Sequence, residues 1–206
     1  QPILAPQQYW TLMDDKDFSE DSPDYADTEA RAALLTYTPL PERTATNLAN
    51  FVEHIRSTNP AEADQLQAQF ASMNIIATLG DAMQDVGLDK NDIADAYTVW
   101  LLNAWSAAHG DLSETPPETA AAVSLQMKFA MLQAPDLLAL DDALKQELAE
   151  SLLIQGVLIA ASASDAAGNP AASAEVAKAV RQGALTAGID LDAIRLTDTG
   201  FVPVTP

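Results

Sequence analysis

From about residue 28 onward, apolar side chains recur every three to four positions, and strict apolar/polar alternation is nearly absent. That period belongs to helices with one buried face, not to strands. The pattern predicts helices near residues 28–37, 42–58, 60–72, 74–86, 91–109, 116–133, 142–166 and 170–187. Their starts are marked chemically. Asn59-Pro60-Ala61-Glu62 and Thr115-Pro116-Pro117-Glu118 each offer an N-cap oxygen, a proline in the first turn and a glutamate at N3, which together satisfy free N–H groups. Asn169-Pro170 marks a third start, and Asp89 with Asp92 at its N3 position a fourth. Gly87, Gly110, Gly168 and Gly188 follow periodic segments, where a left-handed residue ends a helix.

Two of these helices read as central. On a wheel drawn from Ile93, Tyr97, Trp100, Leu101, Ala104, Trp105 and Ala108 cover most of the circumference, leaving a stripe to Asp95, Thr98, Ser106 and His109. From Leu148 to Ala163 the chain is apolar nearly all round. A helix over 142–166 would be about 37 Å long at 1.5 Å per residue and should run through the middle of the fold.

The ends read differently. Residues 1–27, with Pro2, Pro6, Pro23 and the acidic run Asp14 to Asp27, show no helical period and read as an extended arm. Trp10, Leu12, Met13 and Phe18 are its candidate pins to the body. Residues 189–206 read as a helical turn followed by an extended tail through Phe201-Val202-Pro203-Val204. The expected fold is all-α: a single-domain orthogonal or up-down bundle of about seven to eight helices over 28–206, preceded by the acidic arm 1–27.

Composition supports this. Alanine (39) and leucine (25) dominate the 206 residues, and both favour helices. With 48% hydrophobic residues and a mean hydropathy of −0.01 there is enough apolar side chain for a real core. The formal charge of −20 and a pI near 4.1 repel phosphate backbones and anionic lipid surfaces. Nucleic acid is therefore not an expected partner. Residues 1–30 hold eight carboxylates against Lys16 alone. The longest apolar run, Leu152 to Ala163, contains Gln155 and Gly156 and is shorter than the roughly 20 residues a span needs, so no membrane insertion is expected. Cysteine is absent; this excludes disulfides and thiol chemistry and fits either a reducing compartment or export. A chain beginning at Gln1 suggests processing, which points to export.

Few residues gather into recognisable chemistry. No phosphate-binding glycine loop, dinucleotide fingerprint, His-Glu-x-x-His or Gly-x-Ser-x-Gly occurs. Asp198-Thr199-Gly200 matches the aspartic-protease tripeptide, but it stands alone near the end of a helical chain, so it reads as a turn. Asp15, Asp17, Ser19 and Asp21 alternate like calcium-loop ligands; Glu20 then stands where that loop has glycine and Ala26 where it has its bidentate glutamate. A zinc site would need His54, His109 and a carboxylate converging from separate helices; His109 reads more simply as a helix C-terminal residue. No metal and no cofactor is expected. Asp95 and Asn103, two turns apart in the aromatic helix, need partners if buried: neighbouring helices, water or a ligand.

Thr38-Pro39, Asn47-Leu48 and Phe51-Val52, then Ala94 to Trp100, then Leu196-Thr197-Asp198-Thr199-Gly200-Phe201 resemble an uncharacterised family of exported bacterial α-helical proteins, a domain of unknown function. The likeness covers roughly residues 28–202, leaves the acidic arm outside, implies export and carries no catalytic residues.

The leading expectation is a non-enzymatic, exported binding domain, periplasmic or extracellular, with a cationic protein or peptide as partner. The alternative is a small-molecule or enzymatic pocket between helices 91–109 and 142–166. Asp95, Tyr97, Asn103 and His109 are the candidate binding residues. Oligomeric state is left open.

Overall fold

The computed structural model describes Met13 and residues 16–204. Ser22 accepts from the Tyr25 N–H and starts α1 (Pro23–Arg31), which tightens into a 3₁₀ turn at Ala32–Leu35. Then follow α2 (Pro41–Arg56), α3 (Pro60–Ser72), α4 (Ile75–Asp85), α5 (Ile93–His109) and α6 (Pro117–Met131). The short α7 (Pro135–Leu138), the long α8 (Asp142–Asp165) and α9 (Pro170–Thr186) complete the helices. The chain closes with a 3₁₀ turn (Leu191–Ala193) and an antiparallel hairpin, β1 (Ile194–Thr197) and β2 (Gly200–Pro203), in which Leu196 pairs with Phe201.

The fold is the expected all-α domain with a small two-stranded sheet added. α5 and α8 make its most extensive helix contact. Ile93, Leu101, Leu153 and Met131 are almost fully buried between them and α6, with Leu35, Ile189, Leu191 and Phe201 closing the ends. A smaller core of Val52, Ala63 and Leu66, flanked by Phe51, Ile55, Phe70 and Leu158, joins α2 and α3 to α8. Gly156 permits the central crossing: a Cβ there would lie 3.2 Å from the Trp100 Cα.

Local signals hold at most helix ends and fail at particular ones. Asn59 accepts from the Glu62 N–H and its side-chain amide donates to the Glu62 carboxylate at 2.8 Å, while its own backbone N–H bonds the Ile55 carbonyl, so the cap forms without the reciprocal backbone bond. Asn169 caps α9. Gly87, Gly110, Gly168 and Gly188 all have positive φ. At α6 the helix starts at Pro117, so the N-cap falls on Pro116, which has no side-chain acceptor, and Thr115 does not cap. At α5 the cap is Asp92, accepting from Ala94 and Asp95, with Asp89 in the preceding turn. The arm also ends earlier than expected, because Pro23 at the first helical position begins α1 inside it. Trp10 and Leu12 lie outside the described residues, whereas Met13 is buried and Phe18 packs edge-on against Phe129 at 5.4 Å. The expected C-terminal tail is the hairpin.

α8 is long and apolar enough to cross a membrane by length and composition. In this fold it packs against α5, α2, α9 and α4.

Candidate functional site

The structure gathers the buried charge at the N-terminal end of α5. Asp92 and Asp95 are both almost fully buried. Asp92 caps the helix, its Oδ1 accepting the Ala94 N–H at 2.8 Å. Asp95, at N3, turns back to accept the Asp89 N–H at 2.9 Å and also accepts from the Ser124 hydroxyl. Ser124 and Lys128, one turn apart on α6, face this pair from the neighbouring helix. Lys128 Nζ lies 3.4 Å from Asp95 and 3.8 Å from Asp92.

Two nearly buried carboxylates and one partly exposed ammonium share this space. Burial, followed by the nearby Asp95 charge, raises Asp92 to a pKa of about 6, against the pull of Lys128. Burial tends to lower the Lys128 pKa, but the charges of Asp95 and Asp92 outweigh it and the net shift is upward. The cluster can store a proton near neutrality. Its Ser124 hydroxyl is spent on Asp95, and no imidazole adjoins it to make a nucleophile.

A second polar knot lies along the first turns of α8, the helix whose Leu148–Ala163 stretch reads as apolar nearly all round in sequence. Glu150, 1% exposed, accepts from Thr44 at 2.5 Å, Asn47 at 2.6 Å and Gln146 at 3.0 Å. Gln146 also accepts the Leu40 N–H and donates to the Leu40 carbonyl, each at 3.0 Å. Lys145 Nζ donates to the Leu34 carbonyl at 2.7 Å. These bonds fasten the segment between the first 3₁₀ turn and α2. Tyr37 sits between the two clusters and donates to the Lys90 carbonyl at 2.9 Å. Burial, then the charges of Glu150, Asp89 and Asp92, push its phenol far above the usual range. The signal for this knot was the Lys145, Gln146, Glu150 row on one helix face, hidden by the apolar residues around it.

The four candidate residues from the sequence do not converge. Asp95 joins Asp92, Ser124 and Lys128. Tyr97 is half-buried with its ring 5.5 Å from Trp100. Asn103 is half-buried at the α5–α8 crossing, where a Cβ on Gly156 would lie 3.5 Å from its Nδ2. His109 stacks on Trp105 at 4.5 Å, with Nδ1 2.9 Å from the Trp105 carbonyl and Nε2 3.5 Å from Asp192. His54 lies exposed in the last turn of α2, on a separate element. Among the described residues no group of three or more His, Asp or Glu side chains is placed to hold a metal ion. Asp198-Thr199-Gly200 forms the hairpin turn, with Gly200 at φ +104°.

Every buried side-chain nitrogen and oxygen among the described residues has a hydrogen-bond partner. Three surface cavities lie away from the polar clusters. One of about 750 Å³ runs between the Lys16–Ser19 segment, α6 and the hairpin. One of about 680 Å³ lies between α2 and α3, where Arg56 pairs with Glu53 and Asp64. A dimple of about 160 Å³ separates the C-terminal ends of α5 and α8 from α9.

The class this fold defines is a helical domain whose buried charged groups are tied into its own packing. The chain belongs to the family described as "Family of unknown function (DUF6683)", whose family model matches residues 5–203. The match reaches into the acidic arm, further than the likeness over residues 28–202 read from the sequence motifs. No curated protein matches the chain, and no solved structure does.

Proposed function

We propose that this protein is a non-enzymatic, exported helical binding domain that engages a cationic protein or peptide through its acidic surface. The observation that carries the reading is the contrast between inside and outside. The buried polar atoms of the described residues are all bonded within the fold, whereas most carboxylates behind the −20 charge lie on the surface. Groups bonded to one another gain little by also bonding a ligand, because an existing hydrogen bond must be exchanged. Surface carboxylates in excess over lysine and arginine attract cations over a Debye length and steer their approach.

The close packing of Gly156 on Trp100 favours this reading over a ligand pocket at the α5–α8 seam. Placement outside the cytoplasm belongs to the same proposal and agrees with the absence of cysteine. Calorimetric titration with octalysine at NaCl concentrations from about 0.02 to 0.3 M tests the mechanism, since this range takes screening past its physiological value. Binding that weakens steadily as salt rises is expected. Salt-independent binding, or none at the lowest salt, refutes it. Fractionation of the native host tests the placement, with recovery outside the cytoplasm expected.

A further inference from the structure

We infer that the partner docks in the groove between the Lys16–Ser19 segment, α6 and the C-terminal hairpin, and that the occupant is an extended cationic peptide bearing an apolar side chain beside its lysines or arginines. This inference rests on the reading of the protein as a binder of cations and names its surface. At about 750 Å³ the groove falls within the size range of ligand sites. Its floor is apolar: Phe18, Leu125 and Phe201 line it, with Met13 at one end.

Two carboxylates stand in its wall. Asp198, at the hairpin tip, is exposed, and its side chain makes no hydrogen bond or ion pair among the described residues. Asp17 accepts the Ser19 N–H at 2.9 Å; this bond, with that from the Ser19 hydroxyl, lowers its pKa and keeps it anionic. Among the described residues the cation of the lining, Lys16, is already committed: its Nζ lies 3.5 Å from Asp24 and 5.6 Å from the centre of the Phe129 ring. The groove therefore offers negative charge beside an apolar floor. The α2–α3 groove differs, because Arg56 occupies both of its carboxylates, Glu53 and Asp64.

The mode of recognition follows from the edge of β2. Gln126 already bonds the N–H and C=O of Phe201 on that side, and Pro203 has no N–H to give. A peptide cannot extend the hairpin as a third strand there, so side chains must carry the recognition.

The test is fluorescence anisotropy with labelled Lys-Lys-Leu-Lys-Lys and, as control, Lys-Lys-Ser-Lys-Lys, at about 0.05 M NaCl where the Debye length exceeds 10 Å. The leucine peptide should bind more tightly. Asp198→Asn and Asp17→Asn should each weaken it about two- to fivefold, the range of one exposed charge pair. Ala122→Trp, which fills the groove from α6, should weaken the leucine peptide most, and Asp165→Asn, at the far end of α8, should change little. Circular dichroism melts confirm that the variants fold; Asp198 and Asp17 are exposed, so those two remain informative if Ala122→Trp does not fold. Equal losses from Asp165→Asn and Asp198→Asn, or no preference for leucine, would overturn the groove and leave the broader reading standing. Failure of the unaltered protein to bind either peptide would overturn both.

Discussion

The side-chain carboxamide of Gln126 accepts the Phe201 N–H at 2.8 Å and donates to the Phe201 carbonyl at 2.9 Å. A helix side chain thus supplies both bonds that a neighbouring strand residue would. On the opposite side of the hairpin, Trp105 Nε1 donates to the Ile194 carbonyl at 3.1 Å. The two strands are held between α5 and α6 by one side chain from each. Gly200 completes the fit, since a Cβ there would lie 2.4 Å from Gln126 Oε1.

Gln126→Leu removes both of these bonds to the Phe201 backbone and should cost about 2–6 kcal/mol, at roughly 1–3 kcal/mol for each bond lost from a buried group. Urea denaturation measures the loss. Hydrogen exchange adds a local readout: the Phe201 amide should be protected in the unaltered protein and exchange much faster in the variant.

The buried acid pair at α5 predicts an unusual pH profile. Asp92 is raised from an ordinary 3.8 to about 6 in the folded protein. Between those values the native state holds more protons than the unfolded state, so this residue's contribution to stability falls as pH rises from about 4 to about 6. Asp92→Asn removes the titrating charge yet keeps an N-cap oxygen. The variant should lose the slope in that window and gain on the order of 1–3 kcal/mol relative to the unaltered protein between pH 5 and 7.5. Urea midpoints at half-unit pH steps measure both effects.

Lys128→Met strips the paired cation from two buried carboxylates and should cost about 3–5 kcal/mol near pH 7.5. The loss should shrink near pH 5, where Asp92 is largely protonated, and Asp92→Asn should recover part of it at the higher pH. A loss independent of pH would mean that Lys128 acts through packing alone.

What could be read from sequence followed its range. Asn59 and Asn169 cap helices beginning one residue later, an arrangement settled within four positions, and the glycine stops are equally local. Asp92 was placed at N3 of a helix that actually begins after it, because Asp89 and Asp92 are both good caps and only the packing of Ile93 into the core chooses between them. Asp95 was recognised as a buried polar residue needing a partner, but Ser124 and Lys128 come from another helix, 29 residues on for Ser124. Glu150 was missed because its donors, Thr44 and Asn47, lie 106 and 103 residues away. The hairpin was missed for the same reason: four-residue strands carry little pattern, and Gln126 and Trp105 hold them from distant helices.

Gly156 tests the central crossing. An alanine there meets the Trp100 backbone at 3.2 Å, and two helix backbones yield less readily than a side-chain tip. Gly156→Ala should destabilise by about 1–3 kcal/mol despite its better helix propensity. A thermal melt checks the sign; a gain would show that α5 and α8 can separate at this point.

The most direct test of the proposed function is an amide chemical-shift map of isotopically labelled protein titrated with Lys-Lys-Leu-Lys-Lys. Shifts confined to residues 16–19, to Ala122, Leu125 and Gln126, and to the hairpin are predicted. Shifts centred instead on Tyr97, Asn103 and Gly156 would place the binding site at the α5–α8 seam and contradict the account.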